Sequence, residues 1–187
     1  MEDRQSLNDG MIRCYVTDRR QADVLGCVQR AIRDGVDLIQ VREKDLPARE
    51  LLELVSKVRN LAAESKTRIV VNDRVDIALA SGLDGVHLPS NGLPPHLVRP
   101  LVKLLGISAH TLAEAKEAES AQADFVIFGP IFDSPGKKAI GLEPLQKVTA
   151  AVRIPVLAIG GITAANSREV LKAGAAGFAG IRIFQTD

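Results

Sequence analysis

The stretch from Leu38 to Ser65, LIQVREKDLPARELLELVSKVRNLAAES, holds one complete folding unit. Leu38-Ile39-Gln40-Val41 is a short, continuous apolar run of the kind that parallel sheets bury on both faces. A polar turn through Arg42, Glu43, Lys44 and Asp45 follows. Leu51, Leu52, Leu54, Val55, Val58 and Leu61 then recur at spacings of three and four, which predicts an amphipathic helix over 48–65.

The same unit repeats on both sides. Apolar runs lie at 12–16, 38–41, 69–71, 85–88, 104–107, 125–128, 156–159 and 177–181. Helical stretches are predicted between them at 21–34, 48–65, 74–81, 95–101, 112–121, 143–151 and 167–172. Gly35 and Gly174 stand just past helix ends, where a left-handed cap is expected. Thr111 with Glu114 forms a capping-box pattern. Strands alternating with helices, with no hairpin signal, mean a parallel α/β sheet. Eight strands favour a closed (β/α)8 TIM barrel over an open doubly wound sheet. The first run is not followed by GxGxxG, so a dinucleotide fold lacks its best marker. The expected division is a polar amino-terminal extension at 1–11 and one barrel domain at 12–187. An eighth helix is not predicted, so the barrel flank there is covered by the amino-terminal segment, by a partner subunit, or by nothing. A homo-oligomer is thus left open.

A chain of 187 residues with 46% hydrophobic residues can bury a substantial core, and with only 3% aromatics that core is aliphatic. Lys and Arg number 24 against 23 Asp and Glu. Such a balance offers no field for nucleic acid or anionic membrane, so any anion binding is local. Cys14 and Cys27 have neither CxxC nor zinc spacing and read as reduced core thiols. The first ten residues lack the apolar segment of a signal peptide, and no apolar run is long enough to span a bilayer. Cytoplasmic localisation is the expectation.

In such a barrel the chemistry sits at the carboxyl ends of the strands. After the second strand, Gln40, Arg42 and Lys44 share one face because strand side chains alternate, and two cations beside an amide suit phosphate oxygens. A solvated turn, its charges paired with Glu43 and Asp45, is an equal reading. After the third strand, Asn72 or Asp73 caps the next helix, or Asp73 holds Mg²⁺; the residues alone favour the cap. After the fifth come Ser108 and His110, the histidine a candidate acid or base. His87 reads as packing and His96 as a surface residue. After the sixth, Ser134-Pro135-Gly136-Lys137 offers hydroxyl, backbone N–H and ammonium in one tight loop. After the seventh, Gly160-Gly161 lets backbone N–H groups approach a phosphate, beside Gly180, Ile181 and Arg182 at the end of the eighth. Phosphate-compatible groups at so many strand ends point to a small phosphorylated metabolite.

The ordered set Gln40-Val41-Arg42-Glu43-Lys44, Asn72-Asp73-Arg74-Val75-Asp76, Gly85-Val86-His87-Leu88, Ser108-Ala109-His110-Thr111, Gly129-Pro130-Ile131-Phe132 and Ala158-Ile159-Gly160-Gly161-Ile162-Thr163 resembles the thiamin phosphate synthase/TenI superfamily over residues 13–182. The resemblance implies that Gln40, Arg42, Lys44, Asn72 and Lys137 face a pyrimidine diphosphate, with Ser108 near the pyrimidine. It implies Mg²⁺ with Asp73 as one ligand. It places a thiazole phosphate against Ser134, Gly136, Gly160, Gly161, Gly180, Ile181 and Arg182. Three departures stand out: Gly92 holds the place of the second Mg²⁺ aspartate, Ser134-Pro135-Gly136-Lys137 lacks one synthase hydroxyl, and Arg182 replaces a small hydroxyl residue. Leu88-Pro89-Ser90 and the two Gly-containing stretches at 136–138 and 141–143 are similar to the TenI branch, whose tautomerases relocate a proton on thiazole phosphate without metal. The resemblance therefore favours a tautomerase with His110 as acid or base. Thiamin phosphate synthase, and a non-catalytic binder or regulator of a thiamin precursor, are the alternatives.

Overall fold

A computed structural model describes residues 10–185. Eight strands run β1 (Ile12–Val16), β2 (Leu38–Val41), β3 (Arg68–Asn72), β4 (Gly85–Leu88), β5 (Leu104–Ala109), β6 (Phe125–Phe128), β7 (Val156–Ala158) and β8 (Gly177–Gly180). All neighbouring pairs are parallel, and β1 pairs with β8 to close the barrel. The helices are α1 (Val24–Arg33), α2 (Ala48–Ala62), α3 (Val75–Ser81), α4 (Pro95–Val98), α5 (Leu112–Ser120), α6 (Leu142–Ala151) and α7 (Ser167–Lys172). The expected (β/α) alternation is therefore present. Gly35 and Gly174 take φ 71° and 90° past their helices, and the Thr111/Glu114 capping box forms. Residues 1–9 of the expected extension lie outside the described residues.

Strand alternation divides the apolar residues into two cores. One lies inside the barrel and includes Ile12, Cys14, Val16, Leu38, Val70, Leu104, Phe125, Ile127 and Leu157. The larger one lies between the strands and the helices, with Ile39, Val41, Val55, Val71, Leu105, Val126 and Phe128. The interior is narrow. A Cβ at Gly106 would fall 2.2 Å from the Phe125 ring, so the glycine makes room for that ring to cross the barrel.

The amino-terminal rim carries a device that sequence periodicity does not reveal. Asp37, Asp84 and Asp124 each precede an even-numbered strand, and each carboxylate accepts a backbone N–H from the odd strand before it. Arg13, Ile69 and Leu105 are the donors, at 2.8, 2.8 and 2.7 Å. In return the Asp37 and Asp124 amides donate to the carbonyls of Arg13 and Leu105. The fourth such position holds Ala176, which makes the return bond to Val156 but has no carboxylate to complete the pair.

Past β8 the chain forms only a 3₁₀ turn at Arg182–Phe184 among the described residues. Phe184 packs against Phe178 and Tyr15 with ring centroids 6.0 and 5.6 Å apart, and Gln185 donates to the Tyr15 hydroxyl and the Asp18 carbonyl. This turn covers part of the flank where an eighth helix is absent from the pattern.

Asp124 also pairs with Arg99 at 2.6 Å. Asp124→Ala therefore strands the Leu105 amide and removes the charge partner of Arg99, whose guanidinium keeps the Gln122, Val102 and Lys103 carbonyls. The expected loss is about 1–3 kcal/mol, read as a lower urea midpoint with an unchanged slope.

Candidate functional site

Inward-facing residues near the carboxyl ends of the strands line one cavity of about 680 Å³. Its floor is uncharged: Val16, Gln40, His87, Ser108, Ile127 and Ala179. Its walls carry Arg42, Lys44, Lys137 and Arg182. Of the residues expected from sequence, Gln40, Arg42, Lys44, Asn72, Ser108, His110, Ser134, Lys137, Gly160, Gly161, Gly180, Ile181 and Arg182 all line it. Gly136 and Asp73 do not.

The β2 end decides between the two readings of its charges. Glu43 faces away from the cavity and is 5% exposed. Its carboxylate accepts the Thr17 hydroxyl at 2.6 Å and the Arg19 amide at 3.1 Å, while Asp45 pairs with Arg19 at 2.8 Å. The Arg42 amide in turn donates to Thr17 Oγ1. Both neighbouring acids are thus engaged by Arg19 and the β1 loop rather than by Arg42 or Lys44. The solvated, self-paired turn is not what forms.

The expected cap after β3 also fails. Arg74 occupies the N-cap of α3 and no side chain caps it. The backbone turns through Asp73 at φ 65°, and the Arg74 and Val75 amides are taken by the carbonyls of Asn72 and Asp73. That turn puts Asn72 and Asp73 ahead of the N-cap position, and the Asn72 side chain lines the cavity instead. Asp73 stands outside the cavity wall, close to Gly92: a Cβ built on Gly92 would lie 3.2 Å from Asp73 Oδ1. A carboxylate at position 92 would therefore stand beside Asp73.

After β5, His110 Nδ1 lies 2.6 Å from the Gly129 carbonyl. A carbonyl only accepts, so Nδ1 carries a proton and points it at Gly129. After β6, Ser134 and Lys137 exchange backbone hydrogen bonds across Pro135 and Gly136, with Gly136 at φ 72°. Proline followed by a positive-φ glycine is a type II turn, so Gly136 shapes the loop that presents Ser134 and Lys137. After β7, Gly160 and Gly161 take φ 98° and 62°. Their Cβ positions would fall 2.4 Å from Pro130 Cβ and 2.6 Å from the Asp133 carbonyl. The glycine pair locks the β6 and β7 loops together as well as exposing backbone.

His87 does more than pack. It is 3% exposed, stacks on Phe125 and also lines the cavity floor. Burial, with Arg42 nearby, pushes its pKa down to about 3. Its inward register beside Asn72 on β3 was the signal that could have found it. Ser90, from the Leu88-Pro89-Ser90 segment, also lines the cavity, as do Gln21 and Asn91, which no local pattern marks. His96 is exposed on α4, as expected. No group of three or more metal-ligating acids, histidines or cysteines occurs among the described residues.

A sequence model of the family described as thiamine monophosphate synthase matches residues 13–184. The chain belongs to this family. It is 40% identical over 180 residues to the thiamine-phosphate synthase of Roseiflexus sp. strain RS-1, covering 91% of this chain and 76% of that protein. It is 44% identical over 160 residues to the thiamine-phosphate synthase of Moorella thermoacetica, covering 82% of this chain and 76% of the relative. Among solved structures, thiamine phosphate pyrophosphorylase from Pyrococcus furiosus superposes with a TM-score of 0.88 at 38% identity, covering 95% of this chain and 89% of that one. The family is enzymatic, and its thiamine-biosynthetic barrel is the one described above. These relatives carry the transferase name, so they favour the synthase alternative over the tautomerase reading.

Burial of a neutral His87 has a consequence for stability. Its folded pKa lies below its ordinary value of 6.5, so between pH 6.5 and about 3 the unfolded chain binds more protons than the folded one. The stability associated with this group is full above pH 6.5 and is lost as pH falls through that window. Urea midpoints measured from pH 7 to pH 4 should fall less steeply in His87→Gln than in the parent.

Proposed function

We propose that this protein is a thiamin phosphate synthase, joining a pyrimidine diphosphate to a thiazole phosphate with loss of pyrophosphate. One observation carries the reading: four cations surround an uncharged-floored cavity, Arg42 and Lys44 at the β2 end, Lys137 across the barrel at the β6 end, and Arg182 between them at the β8 end. Four cations around one cavity suit a diphosphate together with a thiazole phosphate better than the single phosphate and carboxylate of a tautomerase substrate.

In this reading Gln40, Arg42, Lys44, Asn72 and Lys137 hold the diphosphate, and Ser108 meets the pyrimidine. The C–O bond to the diphosphate breaks, pyrophosphate takes the electron pair, and the pyrimidine methylene is left cationic. The thiazole nitrogen then supplies the pair that forms the new C–N bond. Fixed cations around the leaving group stabilise the charge that develops on it, the largest contribution such a site makes. Ser134, Gly160, Gly161, Gly180, Ile181 and Arg182 hold the thiazole phosphate, with Gly136 setting the turn beneath it. Arg182, standing where a small hydroxyl residue is usual, brings a guanidinium to that phosphate.

Mg²⁺ fits this chain as an ion carried largely by substrate, because Mg²⁺ commonly takes one or two carboxylates plus phosphate oxygens. Asp73, just outside the cavity wall between the lining residues Asn72 and Asn91, would supply the one carboxylate at the cavity's edge, and the ion would neutralise charge on the diphosphate. No membrane association is proposed, since no helix among the described residues is long and apolar enough to cross one. A cytoplasmic location accords with Cys14 and Cys27, both free and buried.

The decisive assay incubates the protein with both substrates, with and without Mg²⁺, and measures thiamin phosphate. Product should form with Mg²⁺, and Arg42→Ala or Lys137→Ala should lower kcat by about 10²–10³. Thiazole tautomer exchange lost in His110→Gln, with no thiamin phosphate from the parent, would instead establish the tautomerase. Tight calorimetric binding without turnover would establish a binder.

Gly92→Asp tests the metal reading separately. It adds a second carboxylate beside Asp73 and should lower the Mg²⁺ concentration giving half-maximal activity by about tenfold, the effect of roughly 1.4 kcal/mol.

A further inference from the structure

The proposed reaction leaves the polarity of one buried side chain unused. His87 points inward from β4, between Asn72 on β3 and Gly106 on β5. Its ring stacks on Phe125 with centroids 6.0 Å apart and planes 19° apart, an arrangement that the missing Cβ of Gly106 permits. Its Nε2 lies 3.5 Å from Ser108 Oγ, and both residues line the cavity. Its Nδ1 is buried and has no hydrogen-bond partner among the described residues.

The ring is neutral at pH 7, since burial disfavours the charged form and Arg42 repels it. A neutral imidazole carries one N–H, so the two nitrogens have opposite roles. A proton on Nδ1 would leave a buried donor with no acceptor, and orphaned buried N–H groups are rare. A proton on Nε2 puts the donor opposite Ser108 Oγ and leaves only a lone pair unmatched.

We propose that His87 is a positioning residue: Nε2–H donates to Ser108 Oγ, which turns the serine hydroxyl proton into the cavity and makes Ser108 a donor towards the substrate. The ligand atom read at Ser108 is then a hydrogen-bond acceptor, and an unprotonated nitrogen of the pyrimidine ring answers that description. Identifying that ring rests on the synthase reading; the tautomer and the direction of the bond do not. A separation of 3.5 Å is long for such a bond, and catalytic hydrogen bonds commonly tighten once substrate is in place.

The tautomer is read on the full chain at pH 7 by long-range ¹H–¹⁵N correlation with labelled histidine, using His87→Gln to assign the signals. The expected pattern is an unprotonated, pyridine-type Nδ1 and a protonated, pyrrole-type Nε2. The reverse pattern, or a charged ring, overturns the proposal, whatever the protein's activity. Calorimetry with the pyrimidine diphosphate alone then tests the relay. His87→Leu and Ser108→Ala should each weaken binding about tenfold, the worth of one hydrogen bond, and the double variant should be no weaker than Ser108→Ala. His87→Gln, which keeps an amide donor, should restore most of the loss seen in His87→Leu. Full additivity of the two single losses would show that His87 acts by packing and would sink the relay. Failure of the parent to bind the pyrimidine diphosphate rejects the synthase reading, and the ¹⁵N pattern still decides the tautomer.

Discussion

Closure of eight parallel strands is the constraint on which the rest depends. Once β1 pairs with β8, every second side chain points into a shared interior, and the carboxyl ends of all the strands meet at one mouth. The lower interior is filled by Leu38, Val70, Leu104, Phe125 and Leu157. The level above holds Gln40, His87 and Ser108, and the next holds cations. A ligand entering this barrel meets a gradient from charged rim to neutral floor. A substrate of the proposed kind would be oriented by it, anionic groups outward and uncharged ring inward.

The charges at that rim are useful because the acids that could silence them are engaged elsewhere. Glu43 sits between two cations in sequence, yet alternation turns it to the other face, where Thr17 and Arg19 take it. That arrangement also ties the β1 and β2 loops together. A single side chain thus fixes the loop geometry while its carboxylate is taken by Thr17 and Arg19.

Much of this was legible in the residues. The apolar runs located all eight strands because buried parallel strands have little tolerance for polar residues, and strand parity alone placed Gln40, Arg42 and Lys44 on one face. Features set by tertiary contact were harder to read. Asn72 and Asp73 have the composition of a helix cap, but a positive φ at Asp73 and two short-range carbonyl bonds displace that role. His87 reads as core from its apolar neighbours, since only the register with Asn72 reveals that the cavity floor lies at its level. Gly136 looks like a ligand-facing glycine in a Ser-Pro-Gly-Lys loop, whereas its positive φ puts it at the corner of a type II turn.

The ring of carboxylates at the opposite rim is incomplete, and the gap has a location. Asp37, Asp84 and Asp124 clasp three of the four strand pairs, while Ala176 leaves β7 and β8 with two registered residue pairs. The barrel therefore has a seam, and Gly160, Gly161 and Gly180 stand directly above it. Ligand phosphate gripped by those loops would act as the missing clasp, coupling occupancy of the mouth to the closure of the whole cylinder.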